Sequence, residues 1–209
     1  MAPRKRRGGK RLLSSREVSQ TIGLLVSRAK RDGVRIALLG GAAMSFYGSP
    51  RLTGDVDFIS DSDLQSINDF DYVTKLSFGG NRYVVPGDVP VDLIVRGDDQ
   101  TALYEEALDS AEETDEDFLI VSPEYLAAIK FGAQRGKDQD DLLWLLAQTD
   151  LVDTKKAEAI VRKHLGGSFA AKEFRQAVHE AEWRSREGEY RGKLDSDDDR
   201  DSGDDGSEE

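Results

Sequence analysis

From Ser14 onward, helical and extended patterns alternate along the chain. Ser14 and Glu17 match a capping box, and Val18, Ile22, Leu25, Val26 and Ala29 then recur at helical spacing until Asp32-Gly33 ends the run. Ile36-Ala37-Leu38-Leu39 reads as a short buried strand that runs into Gly40-Gly41. Residues 42–47 predict a short helix closed by Gly48-Ser49-Pro50, and residues 55–60 a second strand. Residues 73–78 and 81–85 read as a hairpin across Gly79-Gly80, and residues 89–95 as another strand entered from the turn Pro86-Gly87-Asp88. Beyond this the pattern is mostly helical. A helix is predicted over 101–108 and an extended piece over 118–121. Ser122-Pro123-Glu124 opens a further helix, with Ser as N-cap and Pro in the first turn. Helices are predicted at about 123–134, 138–149, 154–165 and 168–187.

Charge divides the chain further. Residues 1–12 carry six basic side chains and no acid, while residues 194–209 carry nine acids against Arg200. Both ends are predicted to be disordered, because neither has enough apolar surface to offset the entropy of ordering. The expected organisation is a basic arm over 1–13, an α/β core over 14–121, a helical part over 122–187 and an acidic tail over 188–209. The arm reads as a solvating tail or, more sharply, as a phosphate-contacting segment. The net charge of −12 is not a tail effect alone: residues 13–193 hold −10. Such a body argues against a broad nucleic-acid footprint.

Composition removes several chemistries. With no cysteine there is no disulfide framework, thiolate zinc site, iron–sulfur cluster or Cys nucleophile. Two histidines exclude a His-rich metal site, and both read as surface helix residues. No apolar run approaches ~20 residues, and the N-terminus lacks the apolar stretch of a secretory signal. The expectation is a cytoplasmic protein without membrane partners.

The chemistry concentrates in Gly40-Gly41 and, thirteen residues later, Asp55-Val56-Asp57-Phe58. On a strand, side chains at i and i+2 share a face about 6.6 Å apart, so Asp55 and Asp57 project together while Val56 and Phe58 turn to the core. Two such carboxylates repel, each tends to a raised pKa, and a hard cation relieves the repulsion. Asp92 lies in the apolar run Val91-Asp92-Leu93-Ile94-Val95, where an unpaired carboxylate is costly. If the two strands are neighbours, three carboxylates converge in a set suited to metal-assisted phosphoryl or nucleotidyl transfer. Gly40-Gly41 opens a helix after a strand, a turn that lets backbone N–H groups approach a phosphate.

These residues resemble the signature of the DNA-polymerase-β-like nucleotidyltransferase superfamily. Arg51-Leu52-Thr53-Gly54-Asp55-Val56-Asp57 is similar to the R-x-T-x-D-hydrophobic-D segment of its AbiEii-type (MenT-like, toxin–antitoxin) branch. So is Ser122 to Lys130 followed by Arg135-Gly136-Lys137-Asp138 and Asp141. The resemblance covers roughly residues 35–148. It implies a small mixed β-sheet of the polymerase β-like type with a C-terminal helical part. It further implies transfer of NMP from an NTP to an acceptor hydroxyl with Mg²⁺ (or Mn²⁺). Asp55, Asp57 and Asp92 would hold the metal, with Asp92 also activating the acceptor. Gly40, Gly41, Ser45, Arg51 and Thr53 would line the nucleotide site. Lys130 would contact the triphosphate, and Asp138 would orient that lysine. The branch implies a toxin acting on tRNA or protein, paired with an antitoxin. One departure stands out: the branch commonly has a Lys two residues before the third acid, where this chain has Pro90.

Plainer readings accompany these. Lys130 could lie on the wet side of its helix, Asp138 could be only the N-cap of the next one, and Arg51 and Thr53 could merely shape a loop. Two other functions stay open: a small-molecule enzyme of the aminoglycoside type, and a non-catalytic nucleotide-binding scaffold. A basic groove beside the site would favour RNA, and an acidic cleft a cationic drug.

Overall fold

The computed structural model describes residues 11–188, Gln134 excepted. The expected arm and tail therefore lie mostly outside the described residues. Of the arm, Leu13 is buried and its amide donates to the Thr53 carbonyl at 2.8 Å, while Arg11 pairs with Glu17 at 2.5 Å.

The protein is mixed α/β. Helix α1 (Ser15–Asp32) starts at the Ser14–Glu17 capping box and stops at Gly33, which takes the left-handed conformation. Strand β1 (Ile36–Leu39) leads into helix α2 (Gly40–Phe46), then β2 (Val56–Ser60), β3 (Asp71–Lys75), β4 (Asn81–Val85) and β5 (Val89–Ile94). Helix α3 (Thr101–Asp109) and the short strands β6 (Glu112–Glu113) and β7 (Leu119–Ile120) complete the first part. Four helices follow: α4 (Pro123–Ala133), α5 (Gly136–Ala147), α6 (Thr154–His164) and α7 (Gly167–Arg186).

The seven strands of the described residues form one sheet in the order β3-β4-β5-β2-β1-β7-β6. The all-apolar β1 lies inside it, antiparallel to β2 and parallel to β7. β2 and β5 run parallel, with Asp57 directly beside Asp92. α1 and α2 pack on β1 and β2, α4 packs on α5 and α6, and α7 on α5 and α6. One cluster of buried apolar side chains runs from Leu13 to Ala181. No helix among the described residues is long and apolar enough to cross a membrane.

Several boundaries differ from expectation. The hairpin's first strand is 71–75 rather than 73–78, because Leu76 bonds through its amide to the Gly80 carbonyl and residues 76–80 form the turn. Glu112-Glu113, for which no strand is predicted, form an exposed two-residue edge strand on β7. α5 begins at Gly136 with Arg135 in the N-cap position, so Asp138 sits inside the first turn and is not the cap. Ser122 opens α4 through its carbonyl, which accepts from the Leu126 amide; its hydroxyl is buried and has no hydrogen-bond partner among the described residues. His164 is not a surface residue: its side chain is 7 % exposed and its Nε2 lies 2.9 Å from Glu106. His179 is exposed.

Candidate active site

A cavity of about 590 Å³ opens where β1, β2 and β5 meet α4 and the start of α5. Asp57, on β2, and Asp92, on β5, share a register position, and Asp55 immediately precedes β2. One oxygen from each of the three carboxylates lies within 4.8 Å of the others. Asp55 and Asp92 are buried and Asp57 is half-buried. Like charges side by side on paired strands are unfavourable. The effect falls on Asp57, whose carboxyl is pushed up to about 7 by burial and then by the charges of Asp55 and Asp92.

The diglycine turn is required by close approach. Gly40 has φ +66°, and a Cβ there would stand 1.9 Å from Asp57 Oδ2. A Cβ on Gly41 would stand 2.7 Å from Thr53 Oγ1. Thr53 in turn donates its hydroxyl to the Asp55 carbonyl at 2.8 Å. Two small residues after β1 thus let β2 and its approach loop set the carboxylates against the turn.

The helix side carries a second charge cluster. Lys130 is buried, which overturns the wet-face reading: α4 has apolar neighbours nearly all round. Asp138 and Asp141 lie three residues apart on α5 and so share a face. Both reach Lys130 Nζ, at 2.8 and 2.7 Å. Arg51 pairs with Asp141 and Arg135 with Asp138. Burial opposes ionisation of Asp138, yet the hydrogen bonds from Lys130 and Arg135 hold its pKa below the usual value. The bond to Asp141, with the nearby Asp138 and Asp55 charges, raises the Arg51 guanidinium pKa.

The cavity therefore gathers Gly40, Gly41, Arg51, Thr53, Asp55, Asp57, Asp92, Lys130 and Asp138. Ser45 is not brought in. Its hydroxyl donates to the carbonyls of Gly41 and Arg51, and it lines a neighbouring hollow beside α1. Sequence reasoning missed Arg82, which donates from Nε and Nη2 to the two Asp92 oxygens at 2.5 and 2.6 Å. It also missed Arg96, whose guanidinium lies 4.9 and 4.4 Å from the ring centroids of Phe78 and Tyr104 in the cavity wall. Arg82 had a signal. The turn at 86–88 sets Val85 opposite Val89, and counting back along the hairpin puts Arg82 opposite Asp92.

The donor set is all carboxylate, which suits a hard divalent cation. The row beside Asp57 is one such an ion would stabilise.

No protein-family model matches this sequence, and no curated protein matches it. Among solved structures, the chain is similar to an antigenic nucleotidyltransferase-like protein from Paracoccidioides brasiliensis, with 21% identity and a TM-score of 0.48 over 78% of this chain and 95% of that one. It is also similar to the antibiotic-resistance factor ANT(2'')-Ia, with 13% identity and a TM-score of 0.45 over 85% of this chain and 98% of that one.

Proposed function

We propose that this chain is a metal-dependent nucleotidyltransferase that moves a nucleoside monophosphate from an NTP to an acceptor hydroxyl and releases pyrophosphate. The observation that carries the reading is the convergence of Asp55, Asp57 and Asp92 within 4.8 Å on one wall of a cavity whose other wall presents Lys130. Asp55, Asp57 and Asp92 would hold Mg²⁺ or Mn²⁺. Bound there, the cation supplies charge neutralisation for the reacting phosphate and the leaving oxygen. Asp92 completes the set and draws the proton from the acceptor hydroxyl. Lys130 spends two of its three donors on Asp138 and Asp141 and turns the remaining one to a triphosphate oxygen. Gly40 and Gly41 keep the turn low enough for the nucleotide to lie over Asp57.

The acceptor in this reading is RNA, tRNA in particular, in the manner of a toxin restrained by a partner protein. What supports RNA over a cationic small molecule is the charge of the cavity wall. Among the described residues six cationic side chains line it against five acids, although residues 13–193 carry −10 overall. The test is incubation with each labelled NTP and total tRNA, with Asp57→Ala as blank. Label on tRNA that disappears in the blank supports the reading. Label on a small cation, or on no acceptor with any of the four NTPs, rejects it.

A further inference from the structure

The sheet side of the cavity already contains a cation. Arg82 holds both Asp92 oxygens in a planar two-pronged contact, and its Nη2 also lies 3.3 Å from Asp55 Oδ2. It therefore stands between two of the three carboxylates that would hold the proposed metal. We infer that Arg82 is a displaceable internal counter-ion, holding the carboxylates together in the metal-free chain and competing with the divalent cation for Asp55 and Asp92. The inference rests on the metal-dependent reading above.

The two contacts are unequal. The Asp92 arm is short and doubled, while the Asp55 arm is single and 3.3 Å long. Asp55 is the contact that yields first. Release does not strand a buried charge, because the Arg82 side chain is 31% exposed and lines the cavity. A carboxylate oxygen that accepts from a guanidinium is a weaker metal ligand, and the guanidinium repels an incoming cation. A triphosphate arriving with the metal reverses that repulsion, since the freed arm of Arg82 can turn to phosphate oxygens. The chain should therefore bind metal poorly alone and well with a nucleotide, and Arg82 is the residue that couples the two.

The experiment is titration of the full-length chain with Mn²⁺ alone, reading free Mn²⁺ by electron paramagnetic resonance, for wild type, Arg82→Gln and Arg82→Lys. Arg82→Gln should bind Mn²⁺ on the order of tenfold tighter than wild type. Arg82→Lys, whose point charge cannot fork between two carboxylates, should gain a few-fold. Mn²⁺ affinity that is unchanged or weaker in both variants overturns the inference and makes Arg82 a brace for its ligands. Should Arg82→Gln fail to fold, Arg82→Lys decides alone. A parallel thermal-shift series with Mg²⁺ and NTP separates the two claims. Stabilisation of wild type by Mg-NTP without a Mn²⁺ gain in the variants overturns only the role of Arg82. No response to metal or Mg-NTP in any of the chains overturns the metal reading with it.

Discussion

Two charge clusters face the same cavity and are balanced in opposite senses. On the sheet side Asp55, Asp57 and Asp92 lie together, and the Arg82 guanidinium pairs with Asp92 and Asp55. On the helix side two carboxylates, Asp138 and Asp141, have three cations, Lys130, Arg51 and Arg135. The first cluster is short of positive charge and the second short of negative charge. A ligand that brings a divalent cation and a polyanion together completes both, which is the form of a metal–triphosphate complex. The contrast also separates roles. The buried Lys130 contacts to Asp138 and Asp141 should matter to folding as well as to phosphate, whereas the sheet cluster, where burial and neighbouring carboxylates outweigh the lysines acting on Asp57, should matter to binding.

The largest effect should come from the helix side. Lys130→Ala leaves Asp138 and Asp141 buried together without their shared ammonium and should cost about 3–5 kcal/mol in urea unfolding. Adding Asp138→Asn and Asp141→Asn should recover part of that loss. A single variant with wild-type stability would show that the cluster contributes nothing to the fold.

Next is pH. The Asp57 carboxyl is pushed up to about 7 in the folded chain from the ordinary 3.8, so the folded state binds the proton more tightly than the unfolded one. That preference stabilises the metal-free chain fully below about pH 4 and is lost as pH rises toward 7, by ~2–4 kcal/mol. Asp57→Asn should flatten this window. A metal-free chain whose stability is level between pH 4 and 7 would remove the electrostatic strain assigned to the sheet side.

Gly40→Ala sharpens the same side. A Cβ 1.9 Å from Asp57 Oδ2, at a positive φ, should cost ~2–4 kcal/mol and push the Asp57 carboxylate away from its partners. Stability within ~0.5 kcal/mol of wild type would mean the turn has room to spare. The smallest effect is expected for Arg135→Ala. Its side chain is 65% exposed, so its pair with Asp138 should contribute less than ~1 kcal/mol, and that should vanish in high salt.

Much of this geometry was legible in the sequence, for identifiable reasons. The Ser14–Glu17 box and Gly33 mark both ends of α1 through local hydrogen bonding alone. Asp92 stood out because a carboxylate within Val, Leu and Ile needs a partner, and β5 does lie beside β2. What stayed hidden depends on tertiary packing. Lys130 reads equally well as a wet residue until α3, α5 and α6 pack around α4. Ser45 is one turn beyond Gly41 and is turned away by its bonds to the Gly41 and Arg51 carbonyls. β6 and β7 are two residues each, too short for any period to show. Arg82 was readable only by counting hairpin register from its turn.

The central claim is that Asp55, Asp57 and Asp92 bind a divalent cation together with a nucleotide. Its most direct measurement is the melting temperature of wild type and Asp57→Asn with Mg²⁺ alone, NTP alone and both. Ligand present at about 100-fold its dissociation constant stabilises by ~2.7 kcal/mol. Wild type should therefore rise clearly with Mg²⁺ and NTP together and far less with either alone, and Asp57→Asn should show no such rise. An equal rise in Asp57→Asn, or none in wild type with any of the four NTPs, would contradict it.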